Sequence, residues 1–170
     1  MAHAHLKQAF VALRGGIVSS AFVLLWFWVA LVVRRYDPAL GVTLPGWLWP
    51  LGLVLAVLGG LLAASCITVF IVRGRGTPAP FDPPREFVAT GPYRYVRNPM
   101  YLGAIGVLLG AALMVGSAAI ALLAIGFWGL MECFVLFYEE PALEERFGPT
   151  YVEYKSQVHR WIPHGPVKVP

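Results

Sequence analysis

The sequence predicts an all-α, polytopic integral membrane protein with about four transmembrane helices, including a C-terminal helical hairpin followed by interfacial helices. Three observations carry that expectation. Hydrophobic residues make up 58% of the 170 residues and charged residues only 13%, about half the roughly 25% of an ordinary soluble domain. The charges are also segregated, because residues 17–33, 51–72 and 98–131 contain none. Finally, the cations fall on alternate sides of those tracts, 11 on one side and 2 on the other.

Each element follows in order. About 20 apolar residues cross a bilayer as a helix, so residues 17–33 and 51–72 read as single spans. Lys7 and Arg14 precede the first tract as they would in a signal peptide. Arg34 and Arg35 follow it where a small-residue cleavage site would stand, so the span is expected to be retained. The third tract has 34 residues and is too long for one span. Extended through residues 132–138, it suits two antiparallel helices folded at Gly116 and Ser117. Four spans put the N-terminus, the loop at 73–97 and the tail on one side, with 2, 5 and 4 Lys or Arg respectively. The positive-inside rule makes that side cytoplasmic. Trp47, Trp49 and Trp161 fall near the expected interfaces. Gly52, Ala56, Gly60 and Ala64, with Gly106 and Gly110, form small-residue stripes that let helices approach closely in lipid.

After Tyr138 the character changes. Pro141 disfavours helix at Glu140, so a span is expected to end or kink there. Beyond Gly148-Pro149, the residues Tyr151, Tyr154 and Val158 share one helical face, as in a short amphipathic helix at the interface. GRGTPAPFDPP, residues 74–84, is a stiff connector. The whole chain, 1–170, reads as one domain.

Composition also excludes function classes. The net charge of +4 comes without a basic stripe carrying solvated aromatics, which argues against nucleic acid as a partner. Cys66 and Cys133 lie in apolar tracts without a CxxC or Cys/His spacing, so neither a disulfide framework nor a metal site is expected. His3, His5, His159 and His164 form no ligand set.

Chemistry concentrates at residues 91–103, GPYRYVRNPMYLG. The hairpin returns the chain to the same side, so Glu139 and Glu140 should lie near Arg97 and Asn98. Pro99 suits the first turn of a helix, whose free N–H groups would open into this mouth. Such a polar pocket could admit a soluble cofactor and a lipophilic substrate together. Read as topology alone, the arginines would hold the loop inside and the glutamates would be solvated.

GPYRYVRNPMYLG followed by YEEPALEERFGPTYVEYKSQVHRWIP resembles the integral-membrane methyltransferases related to isoprenylcysteine carboxyl methyltransferase and the phospholipid N-methyltransferases. Those families carry an Arg-His-Pro-x-Tyr-x-Gly element, a hairpin, a Glu-Glu pair and a Phe-Gly-x-x-Tyr-x-x-Tyr tail. The corresponding residues are Arg97, Asn98, Pro99, Tyr101 and Gly103, then Glu139 and Glu140, then Phe147, Gly148, Tyr151 and Tyr154. The resemblance covers about residues 85–163. It implies an S-adenosylmethionine site built from Arg85, Glu86, Phe87, Val88, Tyr93, Arg97, Asn98, Pro99, Met100, Tyr101, Glu139 and Glu140. It also implies methyl transfer to a lipophilic or lipid acceptor at an amine, hydroxyl or carboxyl group. The expected setting is the inner (plasma) membrane of a prokaryote, with the site facing the cytoplasm.

Two departures bear on the substrate. Asn98 stands where the family has histidine; an amide can donate and accept but carries no charge. The prenylcysteine enzymes place an arginine four residues before the first glutamate, and that position is Val135 here. A carboxylate acceptor is therefore expected to lack a cation. Glu132, seven residues before Glu139 and so on the same face of a regular helix, is the candidate catalytic base, because carboxylates at membrane depth are costly and tend to be functional. The alternatives are an NADPH-dependent reductase of the sterol-reductase type, which the Glu139-Glu140 pair disfavours, and a non-enzymatic lipid-binding protein.

Overall fold

In the computed structural model the described residues are 2–70, 72 and 87–166, and within 2–19 side chains are described only at 16 and 17. Arg85, Glu86 and the Pro-rich connector lie outside the described residues, as do the side chains of His3, His5, Lys7 and Arg14.

The described chain is helical throughout its regular structure, apart from one isolated bridge between Thr43 and Ser117. Helix α1 (Ala2–Val33) contains the first uncharged tract and extends ahead of it. A short cap follows, formed by a 3-10 turn at Arg34–Tyr36 and α2 (Asp37–Leu40), which stops at Gly41 in the left-handed region (φ 64°). Helix α3 (Trp49–Val69) starts from a 3-10 turn at Gly46–Leu48, with Pro50 in its first turn. Stretches Gly46–Val69 and Ala118–Phe147 are long and apolar enough to cross a membrane, and Pro99–Val115 is a shorter apolar helix.

The long third tract folds where its length demanded. Helix α4 (Pro99–Val115) ends at Gly116 with φ 68°, a conformation that glycine adopts without penalty. Ser117 then caps α5 (Ala118–Phe134) by accepting the Ile120 N–H at 3.1 Å. The α1–α3 connection closes over this turn. Leu44 N–H donates to the Gly116 carbonyl at 3.0 Å, and Ala119 N–H donates to Asp37 Oδ1 at 2.9 Å. On the other side of α5, Trp26 of α1 meets Phe127 edge-on at 4.6 Å.

Helices α3 and α4 touch through backbone. A Cβ placed on Gly59 would meet the Gly103 carbonyl oxygen at 2.6 Å, and one on Gly110 would meet that of Gly52 at 2.5 Å. The small-residue seam therefore runs through Gly52, Ala56, Gly59 and Ala63 against Gly103, Gly106 and Gly110. This corrects the strict four-residue stripe: Gly60 faces open space. At 100° per residue, steps of four drift 40° around the helix each time, whereas alternating steps of four and three stay on one face.

Pro141 does not end the helix. Instead α5 runs into a π turn at Val135–Glu139 and continues as α6 (Glu140–Phe147). Proline lacks the N–H that would close the preceding turn, and the wide π turn sits where that bond is missing. Gly148 (φ 52°) then redirects the chain into α7 (Pro149–Gln157). Tyr151, Tyr154 and Val158 do share a face, and it is covered by Phe87, Ala89, Leu143 and Phe147 of the same chain.

Candidate active site

Residues 87–98 form the floor of the site. Phe87–Thr90 is irregular; Gly91 (φ 62°) turns it into a 3-10 turn at Gly91–Arg94, and Asn98 precedes α4. Tyr93 is buried against Cys66, Val88 and Phe70, the last edge-on at 5.4 Å. Its carbonyl accepts the Tyr154 hydroxyl at 2.7 Å, which ties the floor to α7. Burial holds the Tyr93, Tyr151 and Tyr154 phenols above their ordinary range, so all three are neutral.

The π turn decides where the carboxylates point. Glu139 turns toward α4 and accepts the Tyr101 hydroxyl at 2.9 Å. Glu140, with 4% of its side chain exposed, turns toward the tail. There Arg160 grips it with two bonds, Nε to Oε1 at 2.8 Å and Nη2 to Oε2 at 3.1 Å. Arg97 Nη1 lies 3.1 Å from the same Oε1, and Lys155 Nζ lies 3.4 Å from Oε2. The bonds to Glu140 keep Arg160 above its ordinary basicity, and the Glu144 carboxylate does the same for Lys155.

Glu132 does not share a face with Glu139. One π turn inserts an extra residue, so the eighth residue rather than the seventh returns to the same side. Glu132 consequently lines up with Glu140, and Arg160 Nη1 donates to Glu132 Oε1 at 2.6 Å. The second Glu132 oxygen accepts the Trp161 indole N–H. The expectation that no cation stands beside Glu132 is overturned: Val135 is fully buried, and the guanidinium arrives from the tail instead.

The tail is stitched across this floor. Arg97 N–H donates to the His159 carbonyl at 2.9 Å, Asn98 Nδ2 to the Arg160 carbonyl at 3.3 Å, and His164 N–H to the Tyr95 carbonyl at 2.9 Å. Arg97 is 10% exposed at its side chain, and its Nε and Nη1 have no aligned hydrogen-bond acceptor among the described residues.

Of the residues expected at a cofactor site, Val88, Tyr93 and Met100 pack in one cluster, Tyr101 meets Glu139, Arg97 meets Glu140, and buried Asn98 and Pro99 lead into α4. Phe87 points away, with its ring against Phe147, Tyr151 and Tyr154 at 5.4, 5.9 and 5.1 Å.

The sequence matches the family model for phospholipid methyltransferases over residues 47–150, more than half of the chain. This chain belongs to the phospholipid methyltransferase family. Its fold is also similar to the solved structure of a eukaryotic intramembrane Ras methyltransferase, isoprenylcysteine carboxyl methyltransferase. The two share 22% identity and a TM-score of 0.57, over 85% of this chain and 52% of the other. The chain thus spans about half the length of that relative. No curated protein matched the sequence.

The family match ends at residue 150, ahead of the residue that sequence reading passed over at this site. Arg160 lies 20 residues beyond Glu140 and 28 beyond Glu132. One signal could have found it. Carboxylates at membrane depth require cations, and Arg160 stands in the tail directly before Trp161, which places a guanidinium at the right depth.

Proposed function

We propose that this member of the phospholipid methyltransferase family transfers a methyl group from S-adenosylmethionine to a lipophilic acceptor in the membrane. The observation that carries the reading is a partly buried carboxylate and a buried guanidinium with unused hydrogen-bonding capacity at the same end of the hairpin: Glu139, met by Tyr101, and Arg97, whose Nη1 faces Glu140 and whose Nε has no aligned acceptor among the described residues. That donor set fits an amino-acid group, with an ammonium for Glu139 and a carboxylate for Arg97. The rings of Tyr93 and Tyr101 suit a sulfonium, which aromatic faces attract.

When bound, S-adenosylmethionine supplies the electrophilic methyl group. The chain's own part is positioning and exclusion of water. Asn98, Pro99 and Met100 open α4, and Val88 with Cys66 closes the apolar side. Phe87 contributes backbone, because its ring is spent on the α6–α7 cluster. Arg85 and Glu86 complete the expected set from outside the described residues. Glu140 holds Arg97 and Arg160 in place and does not meet ligand itself. The acceptor enters from the membrane side, and the cofactor enters from the cytoplasm, where the excess of cations puts the 73–97 loop.

Calorimetric titration of the detergent-purified chain with S-adenosylhomocysteine and, in parallel, with NADPH tests this. Saturable binding of the former alone is expected. Binding of NADPH without S-adenosylhomocysteine would instead establish the reductase reading.

A further inference from the structure

The guanidinium of Arg160 divides its donors unequally. Nε and Nη2 are committed to Glu140, which is 4% exposed and also faces Arg97 and Lys155. Nη1 makes a single bond to Glu132, whose side chain is 32% exposed, and Arg160 itself is 22% exposed. Arg160 therefore has one buried, bidentate, framework contact and one open contact. A wall of rings connects the open contact to the cofactor mouth: Trp161 donates to Glu132 and lies 6.4 Å from both Trp128 and Tyr101, and Tyr101 donates to Glu139.

We propose that Arg160 is the anion receptor for the acceptor substrate and that Glu132 is its resting counter-ion. A lipophilic acceptor carrying a carboxylate or a phosphate would take Nη1 in place of Glu132, seated along Trp161 and Trp128 with its reacting end toward Tyr101. Arginine suits this because a second oxyanion can bind its free edge while the first keeps the guanidinium planar and fixed. Glu132 serves when the site is empty, since an Nη1 left without an acceptor in a partly buried site is costly. It is half-open and can turn outward when displaced, whereas Glu140 cannot. The inference deepens the methyltransferase reading and rests on it for the direction in which the acceptor points.

The test uses the full chain in uncharged detergent. Binding is read by quenching of tryptophan fluorescence with three brominated probes of equal chain length: a fatty carboxylate, an alkyl phosphate and the carboxylate's methyl ester. S-adenosylhomocysteine is titrated calorimetrically into the same samples. The anionic probes should bind wild type about tenfold more tightly than the ester, the scale of one charge-assisted hydrogen bond. Glu132→Gln should widen that gap, because the competitor is gone. Arg160→Gln should abolish the gap, and Arg160→Lys should keep part of it. The stronger of the two anionic probes identifies the group that Arg160 prefers. Equal binding of ester and anions, in both wild type and Glu132→Gln, would overturn the proposal. If Arg160→Gln fails to fold, the Glu132→Gln arm decides alone: a wider gap supports the proposal and an unchanged gap overturns it. Absent S-adenosylhomocysteine binding with the anion preference intact would sink the methyltransferase reading and leave the receptor standing.

Discussion

Glu139 meets one phenol and, in the proposed site, one cationic ligand group, so its charge can be removed while its shape is kept. Glu139→Gln should weaken S-adenosylhomocysteine binding about tenfold to a hundredfold, the worth of a charged hydrogen bond. Glu144→Gln should leave it near wild type, because Glu144 is half-exposed and, among the described residues, its carboxylate pairs with Lys155. Equal losses at the two positions in folded protein would refute the assignment. Glu132 separates two roles. As a counter-ion its replacement by glutamine should shift acceptor preference while turnover stays within about tenfold; a loss of about 10²–10⁴-fold with unchanged cofactor affinity would make it the general base. Asp37 gives a pH prediction on the opposite face. The Ala119 N–H and then the Ser117 hydroxyl hold its carboxyl below the usual carboxylate value of 3.8. Its stabilisation is therefore complete above that value and is lost as pH falls through the lower folded value. Asp37→Asn should flatten the acid limb of a detergent melting curve, and an unchanged limb would show that the contact is idle.

At the scale of elements, the α3–α4 seam is the least forgiving contact. Gly59→Val or Gly103→Val places side-chain atoms on a facing carbonyl, an overpacking that costs at least about 1–3 kcal/mol and cannot relax by a rotamer change. Gly60→Ala meets nothing and should melt like wild type. Thermal unfolding of the three variants checks the ordering, and a destabilised Gly60→Ala would misplace the seam. The seam shows why some elements were legible in the sequence and others were not. The hairpin at Gly116-Ser117 follows from length and local turn chemistry, and the shared face of Tyr151, Tyr154 and Val158 follows from helical period. Both are local, and the structure has them. The register of Glu132 was not legible, because a regular period was carried through residues 135–139, where the helix widens. Pro141 was the available signal, but a proline tells only that a bond is missing and leaves open how the helix absorbs the loss. Arg97, Tyr101 and Glu139 could be placed together because hairpin topology alone brings their ends to one side. Arg160 could not, because its reach depends on how a tail folds back, and no periodicity encodes that.

For the molecule as a whole, the asymmetry of cations predicts the orientation. Cysteines introduced at Val42 and at Glu153, in a Cys133→Ser background, should react with an impermeant thiol reagent from opposite faces of sealed membranes, with Glu153 accessible only from the cytoplasm. Cys133 is removed because it is exposed, while Cys66 is buried. Labelling of both sites from one face would overturn the four-span topology and the cytoplasmic address of the site with it. The stitching of residues 159–164 across the 95–98 floor also has a consequence for biosynthesis. A chain is made from its N-terminus, so Glu132, Glu139 and Glu140 leave the ribosome before Arg160 does. The α5–α6 rod therefore enters the bilayer with Glu132 lacking its cation and Glu140 lacking its bidentate partner, a state costing several kcal/mol at membrane depth unless the acids stay protonated or near the surface. Final seating of that rod must wait for the tail. A nascent chain stalled before residue 160 should hold its carboxylate-bearing turns in the headgroup region, and release should let them settle as the guanidinium docks.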